Sequence, residues 1–286
     1  MTAIIPTMPA DSSKEGVLIG LDVGGSITKI IGFREDRLLR QARVQANDPV
    51  ASAYGALGKF LTLNDLKLEE IEAIHVTGVG ASYLDEGLHD CRTVRVPEFD
   101  AVGLGGLYVS GMDRAIVVSM GTGTSIVYAD RKVIRHMIGS GVGGGTLLGL
   151  AQVILNVRDF TSVGELADLG DLHRVDLTVG DISRYDIPGL SSDTTASNFG
   201  KVGDHATPND LALGIINLVF QSVGTAAVLA ARLEKVDQIV FTGNLLHVDQ
   251  GRQVLAGFSS LYDTHIKIPE KAEYATAIGA ALYQGF

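Results

Sequence analysis

The sequence has 286 residues, and its 46% hydrophobic content is enough to bury the cores of two compact lobes. A formal net charge of −10 and the lack of a basic run argue against a nucleic-acid surface or a polybasic membrane contact. A single cysteine, Cys91, excludes an internal disulfide and a thiolate cluster within one chain, so a cytoplasmic location is expected.

Residues 1–16 contain prolines and lack a positive region ahead of a long apolar core, which indicates a disordered tail rather than a signal peptide. No apolar run approaches the ~20 residues that a bilayer span needs, so no membrane contact is expected. We expect a first lobe over residues 17–112 and a second over residues 113–286.

The first motif covers residues 17–29, where an apolar run ends in Asp22 and is followed by two glycines, hydroxyls and a lysine. This pattern predicts a buried strand, a tight turn and a second strand. The glycines let a phosphate approach the main chain, while Ser26, Thr28 and Lys29 add donors and charge. Asp22 could hold a magnesium ion through water. An ordinary Gly-Gly hairpin remains an alternative for this stretch alone.

The same pattern recurs at residues 116–130, and both copies lead through a charged turn to a third strand, predicted at 38–44 and 133–137. Two hairpins in matching order indicate a duplicated half. Two such halves, each with a phosphate turn at a shared cleft, resemble the actin, hexokinase and Hsp70 ATPases. We therefore expect an α/β, two-lobed actin-like ATPase fold built from duplicated ribonuclease H-like halves.

Between the hairpins, Pro49 opens a predicted helix that runs to about Leu63, and a short strand begins near Ile74. The glycines after that strand, at 78 and 80, either line the substrate side of the cleft or form a simple turn. A later strand stops at Pro97, and Glu98 begins a helix. Glu98 either stabilises the positive end of the helix dipole or acts as a general base in the cleft.

In the second lobe, a glycine-rich loop at residues 139–149 leads into an apolar helix. Such a loop offers unpaired N–H groups to an anion, although glycines also permit close packing on a sheet. A capping box is predicted at residues 162–165. Thr207 is predicted to cap a long helix to about Leu233, whose wide apolar face suits burial or a subunit contact. Strands near 238–243 and 264–268 and a helix at 275–283 complete the prediction.

Five segments together resemble the type II pantothenate kinases, namely residues 21–29, 96–100, 120–125, 141–145 and 195–200. The likeness extends over almost all of residues 17–283, in order and with similar spacing. The resemblance implies an ATP- and Mg²⁺-dependent kinase that phosphorylates the primary hydroxyl of pantothenate, the first step of coenzyme A biosynthesis. It also implies a homodimer.

The resemblance assigns Glu98 as the base that accepts the proton of the pantothenate hydroxyl, and places Asp22 on the magnesium side. The residues that it implies for nucleotide binding are Asp22, Val23, Gly24, Gly25, Ser26, Ile27, Thr28, Lys29, Thr122, Gly144, Gly145, Thr146, Leu147, Leu148, Phe160 and Asn244. Glu98, Arg135 and His136 are the residues expected to bind the acceptor.

One position departs from the family, because His136 stands where an arginine usually contacts the acceptor. Arg135 precedes it, but adjacent side chains of a strand point to opposite faces, so Arg135 cannot simply replace that arginine. His136 could donate a hydrogen bond, with a charge that depends on pH. We hypothesise that acceptor recognition is altered, towards a neutral derivative such as pantetheine.

Three other classes of protein are alternatives to this assignment. Dehydratase activators share the ATPase core but hold an iron–sulfur cluster between subunits with paired cysteines, and the lone Cys91 argues against that class. A non-catalytic nucleotide-binding regulator is an alternative, against which Glu98 argues. An ordinary sugar kinase would need a catalytic aspartate in a sequence context that is not evident here.

Overall fold

The computed structural model describes residues 16–45, 48–84 and 87–284, so the predicted tail lies outside the described residues except for Gly16. The helices are α1 (Pro49–Asn64), α2 (Glu98–Ser110), α3 (Gly144–Leu155), α4 (Phe160–Ala167), α5 (Val179–Ile182), α6 (Pro208–Glu234), α7 (Asp249–Tyr262) and α8 (Ala275–Leu282). The strands are β1 (Val17–Val23), β2 (Ile27–Arg34), β3 (Arg37–Leu38), β4 (Ala42–Gln45), β5 (Ile71–Thr77), β6 (Thr93–Arg95), β7 (Arg114–Met120), β8 (Thr124–Asp130), β9 (Ile134–Ser140), β10 (Leu177–Thr178), β11 (Thr195–Ser197), β12 (Gln238–Thr242) and β13 (His265–Lys267).

The two main sheets repeat one order of strands. In the first sheet, β1 pairs antiparallel with β2 and parallel with β5; β2 continues to β3 and β4, and β5 to β6. In the second, β7 pairs antiparallel with β8 and parallel with β12; β8 continues to β9, and β12 to β13. The predicted duplication and the two-sheet α/β class are therefore confirmed.

Polar residues set the starts of two predicted helices. The Asp48 side chain accepts from the N–H of Ala51 at 2.6 Å, and Pro49 occupies the first turn of α1. At α6, the Thr207 hydroxyl and the Asp210 carboxylate form a reciprocal capping box, in which the Thr207 N–H donates to Asp210 at 2.8 Å. Both helix starts agree with the prediction.

Two local predictions were wrong, and one helix was missed. The strand expected at 38–44 is divided into β3 and β4, and each part pairs separately with β2. Helix α4 starts before the predicted capping box, because the Asp159 carboxylate accepts from the N–H of Ser162 at 2.8 Å and caps the helix there. Helix α7 was not predicted; it buries Leu255 and Phe258 against the second core.

The helix that follows the last strand of each half packs against the sheet of the other half. From α2, Val102 and Leu107 join a core cluster with residues of β7, β8 and β12. From α8, Ala277, Ile278 and Ala281 pack with Ile31 and Phe33 of β2. The lobe boundary predicted at residues 112 and 113 stays a prediction, since α8 contributes to the core of the first sheet.

Glycines allow α2 and α8 to cross at backbone contact. A Cβ placed on Gly279 would lie 1.8 Å from the carbonyl oxygen of Ala101, and one on Gly105 would lie 1.8 Å from that of Ala275. A larger side chain has no room at either position, so glycine at both positions is what lets α2 and α8 approach this closely. Since α2 begins at Glu98, this crossing also positions that side chain.

Within the described part of the chain, α6 is the one helix long and apolar enough to cross a bilayer. Most of its apolar window is buried, and residues such as Ile216 and Phe220 belong to the core of the second half. Core packing therefore accounts for its apolar character.

Candidate active site

Two glycine turns face each other between the sheets. One joins β1 to β2 and contains Gly25 and Ser26; the other, residues 121–123, joins β7 to β8. Ser26 Oγ lies 3.5 Å from Thr122 Oγ1, and a Cβ on Gly25 would lie 3.8 Å from the same oxygen. All three residues are exposed at the cleft surface. The structure thus brings together the two turns that the sequence predicts for phosphate binding.

The N-terminus of α3 supports the second turn. The N–H of Gly144 donates to the carbonyl of Gly121 at 2.9 Å, and that of Gly145 donates to the carbonyl of Thr122 at 2.8 Å. A Cβ on Gly143 would lie only 2.8 Å from the Thr122 carbonyl oxygen, so the close approach requires glycine. The expectation that the Gly144 and Gly145 N–H groups are unpaired was wrong, because carbonyls of the turn accept both.

Several residues of the first motif serve the interior instead of the cleft. The Thr28 hydroxyl is buried and lies 2.8 Å from the hydroxyl of Ser52 on α1, which corrects its expected contact with phosphate. Val23 is fully buried. The N–H of Gly24 donates to the carbonyl of Ile27 at 3.2 Å and closes the turn. Direct side-chain contact with a phosphate is therefore available from Ser26 but not from Thr28 or Val23.

Asp22 lies buried at the end of β1, beside the first turn. Its Oδ2 is 3.7 Å from Lys29 Nζ on the adjacent strand. Burial raises the pKa of the Asp22 carboxyl, and the opposing effect of Lys29 does not cancel that increase. Gly78, with a φ of +90°, passes so close that an added Cβ would lie 2.7 Å from Asp22 Oδ1. The turn after β5 therefore supports Asp22.

Glu98 is the first residue of α2 and projects to the cleft surface. Although the residue is exposed, partial burial of its carboxyl raises the pKa, and the charge of Asp22 raises it further. The N-cap position is Pro97, and no side-chain hydrogen bond caps the helix. Glu98 lies in the first turn of α2, where a negative charge also suits the helix dipole, so both roles stay predictions. Two carboxyl groups close enough to interact electrostatically occupy this end of the cleft.

The donors at this end suit a magnesium ion. Asp22 supplies a carboxylate, and the buried Thr77 Oγ1, on the residue paired with Asp22 in register, has no hydrogen-bond partner among the described residues. Magnesium prefers oxygen ligands and is usually held by one or two carboxylates together with substrate phosphates. Among the described residues, no cluster of three His, Cys, Asp or Glu could hold a metal alone. The residues therefore fit a magnesium ion whose ligands come partly from the protein and partly from the phosphates of a bound nucleotide.

The predicted nucleotide residues of α3 and α4 form one wall of the second half. The Phe160 ring lies against Gly144, where an added Cβ would be 3.1 Å from the ring. Leu147 is fully buried in the core and Leu148 is partly buried against it. The Thr146 hydroxyl donates to the carbonyl of Gly141 at 2.8 Å. Of these side chains, Leu147 is directed away from the cleft, so its side chain is not available for the nucleotide contact that is expected at the start of α3.

Asn244 follows β12 in a short helical turn over residues 244–247. Its Oδ1 is buried and has no hydrogen-bond partner among the described residues. Gly243, with a φ of +103°, packs on Met120 at the start of the second turn, where an added Cβ would lie 2.4 Å from the Met120 carbonyl oxygen. The structure therefore places Asn244 beside the base of the second phosphate turn.

Arg135 and His136 point to opposite faces of β9. Arg135 pairs with Glu234 at 2.8 Å and lies over the Tyr128 ring, on the α6 side of the sheet. The ring of His136 stacks on Phe99, the residue after Glu98, with centroids 3.9 Å apart and planes at 14°. Arg135 therefore faces away from α2, and its contact with the acceptor stays a prediction, whereas His136 lies on the α2 side, near the start of the helix.

Comparison with known proteins gives the family. A family model described as Fumble matches residues 114–282. The type II pantothenate kinase of Staphylococcus aureus (strain MRSA252) is 30% identical over 277 residues, which cover 93% of this chain and 99% of the relative. The chain belongs to the type II pantothenate kinase family.

Solved structures outside this family share its fold. The activator of the 2-hydroxyisocaproyl-CoA dehydratase from Clostridium difficile, with bound ADPNP, has a TM-score of 0.68 at 16% identity, over 93% of each chain. A ROK family glucokinase from Streptomyces griseus, in complex with glucose and AMPPNP, has a TM-score of 0.58 at 13% identity, over 93% of this chain and 98% of that one. The actin-like ATPase fold is thus shared with proteins of different activities.

The sequence analysis missed two residues that support the site, Ser52 and Glu273. Ser52 bonds to Thr28 and lies four positions after the Asp48 cap, so its place on the inner face of α1 follows from helical spacing. Glu273 contacts both halves, and no local sequence signal marks it, because its partners are distant in the chain.

Proposed function

We propose that the protein is an ATP-dependent kinase that phosphorylates the primary hydroxyl of pantothenate or a close derivative. The observation that carries the proposal is the approach of Ser26 to Thr122 at 3.5 Å, which sets the two glycine turns beside the carboxyl groups of Asp22 and Glu98. Membership of the type II pantothenate kinase family supports the same acceptor.

The reaction follows from the positions of these groups. The acceptor hydroxyl oxygen forms a bond to the γ-phosphorus of ATP, the bond from that phosphorus to the β-γ bridging oxygen breaks, and ADP leaves. The hydroxyl proton passes to the Glu98 carboxylate, and the exposed turns orient the phosphates through Ser26 and Thr122. Asp22 would hold a magnesium ion, which would neutralise charge on the phosphate oxygens.

The environment of Glu98 suits a general base. An ordinary glutamate is a weak base near neutral pH, and a base works best when its pKa approaches the operating pH. Burial and the charge of Asp22 both raise the pKa of Glu98 from its ordinary value of 4.5. The Glu98 carboxylate is thereby a stronger base than a glutamate with the ordinary pKa.

A coupled assay of ADP release tests the proposal directly. The protein is incubated with ATP and Mg²⁺, with and without pantothenate, and the phosphorylated product is identified by mass spectrometry. We expect ADP release that depends on the acceptor and matches the product formed. Nucleotide binding without transfer to any pantothenate derivative would instead favour a non-catalytic regulator.

A second acceptor, the neutral derivative pantetheine, is favoured by one feature of β9. Carboxylates are recognised best by the planar guanidinium of arginine, but Arg135 is bound to Glu234, and the side chain on the Phe99 side is His136. We expect pantetheine to give a higher kcat/KM than pantothenate, and His136→Arg to shift the preference towards pantothenate. Arg135→Gln is the control, since it lies on the other face; a strong preference of the unaltered protein for pantothenate would reject the idea.

We also propose a homodimer located in the cytosol. Helix α6 buries its wide apolar face within its own half, so that face is not available for a subunit contact. Leu229 and Leu233 on α6 and Val153 on α3 remain exposed and would have to supply the apolar part of an interface. Light scattering of the purified protein measures the subunit number, and a mass of one chain would contradict the dimer.

A further inference from the structure

A row of charged side chains crosses the first sheet. Asp22 on β1 is paired in register with Lys29 on β2, and Lys29 is paired with Arg43 on β4. Directly opposite residues of antiparallel strands project from the same face, so the three side chains follow one another across the sheet. The row starts at the carboxylate beside the first phosphate turn and ends with Arg43 at the edge of the sheet.

Glu273 continues this row into the second half. Its Oε1 lies 2.8 Å from Arg43 Nη1, although the two residues are 230 positions apart in the chain. Its Oε2 lies 2.9 Å from Nε2 of His247. Since an ionised carboxylate only accepts hydrogen bonds, Nε2 of His247 carries the proton and donates. The Glu273 side chain is 11% exposed, whereas Arg43 and His247 are 53% and 56% exposed.

The charge state of Glu273 follows from these contacts. Burial alone would raise the pKa of its carboxyl, but the hydrogen bonds from Arg43 and His247 outweigh burial and hold the pKa below its ordinary value. The same contact raises the pKa of Arg43. Glu273 is therefore an ionised, mostly covered carboxylate that carries one bond to each half.

The short turn that contains Glu273 makes one further contact with each half. The carbonyl of Ala272 accepts from the N–H of Gly243 at 2.9 Å, directly before Asn244. Tyr274 packs with the cluster of Ile31 and Phe33 in the first half. One side of the turn thus holds the loop over residues 243–247, and the other side rests on the first sheet.

We propose that Glu273 is a positioning residue that fixes the loop over residues 243–247, and with it Asn244, relative to the first phosphate turn. Through Arg43 it ties this loop to the strand paired with β2, and through His247 it holds the loop itself. Two residues expected to bind the nucleotide from opposite halves, Ser26 and Asn244, are thereby kept at a fixed separation. The inference rests on the proposed function only for the placement of the nucleotide.

The test measures ADP binding by calorimetry in the full chain, separately from turnover. Glu273→Gln removes the charge and weakens both bonds, and we expect the Kd for ADP to rise about tenfold, within the usual range for coupling between parts of a site. The KM for the acceptor should change less than about twofold. Glu270→Gln is the matched control, because Glu270 lies three positions earlier, is exposed and lines the same surface pocket as Glu273 and His247, away from the two glycine turns.

A double-mutant cycle separates positioning from general stability. Arg43→Gln should also weaken ADP binding, and the combination with Glu273→Gln should add little, whereas Arg43→Gln with Glu270→Gln should be additive. An unchanged Kd in Glu273→Gln would overturn the inference. So would equal losses for ADP and acceptor accompanied by a lower melting temperature. If the unaltered protein binds ADP but phosphorylates no acceptor, the proposed function fails, while the cycle still decides the role of Glu273.

Discussion

Replacement of Gly279 by alanine tests how far the crossing of α2 and α8 controls the site. The added Cβ would lie 1.8 Å from the carbonyl oxygen of Ala101 and 2.5 Å from the nitrogen of Gly105. Both are backbone atoms, which cannot rotate away as a side chain can. The helices would have to separate by roughly 1.5 Å to restore ordinary contact distances, and α2 carries Glu98 at its start.

Overpacking of a core usually costs about 1–3 kcal/mol, and a clash with backbone on this scale belongs at the upper end or beyond. For about 3 kcal/mol, the melting temperature should fall by about 6–12 °C. Displacement of Glu98 by about 1 Å should also lower kcat up to ~100-fold. Circular dichroism and the ADP-release assay measure the two effects on the same sample.

Gly58→Ala is the control, because Gly58 lies in α1 with nothing within 4 Å of an added Cβ. That change should leave the protein as stable or raise its stability by up to about 1 kcal/mol. A melting temperature of Gly279→Ala within about 2 °C of the unaltered protein would show that the two helices are not in backbone contact, and the reasoning would be refuted.

The remaining predictions concern two carboxylates. Glu98→Gln should lower kcat by ~10²–10⁴ with an unchanged Kd for ADP, while Asp100→Asn in the same helical turn stays near normal; turnover close to normal in Glu98→Gln would remove the base role. Because burial raises the pKa of Glu98, its basic form is lost as the pH falls, so kcat should decline from a higher pH than an ordinary glutamate allows, and this limb should vanish in Glu98→Gln. Asp176, fully buried, accepts from the Asn217 amide at 2.7 Å and the Phe199 N–H at 2.8 Å. Asp176→Ala should therefore cost at least about 3 kcal/mol in urea unfolding, and a loss under about 1 kcal/mol would contradict this.

The fold was predictable because its signals are local and occur twice. Each glycine turn lies between two apolar runs, and the order of strands around it is the same in both halves. Helix α7 escaped prediction because its inward residues are few and two glycines, Gly251 and Gly257, interrupt the helical pattern. Boundaries such as the split of the third strand depend on pairing with β2 and have no local signal.

The chemistry of the site was predictable only in part. The fold predicted from the sequence places Glu98 and Asp22 at one cleft. The sequence does not tell which backbone N–H groups already donate hydrogen bonds within the protein. Gly144 and Gly145 look like free donors in sequence, and only the structure shows that their N–H groups bond to the second turn. Glu273 was not predicted for a similar reason, because its contact with Arg43 depends on where two distant segments meet in the folded chain.

The exchange of α2 and α8 has a consequence for the order in which the protein is made. Residues 17–95 leave the ribosome long before residues 275–282, yet Gly20 of β1 lies against the Ala277 backbone, where an added Cβ would be 1.9 Å from its carbonyl oxygen. One face of the first sheet must therefore stay uncovered, or be shielded by a chaperone, during most of synthesis. A nascent chain stopped before residue 275 should be far more sensitive to proteases in its first half than the released protein.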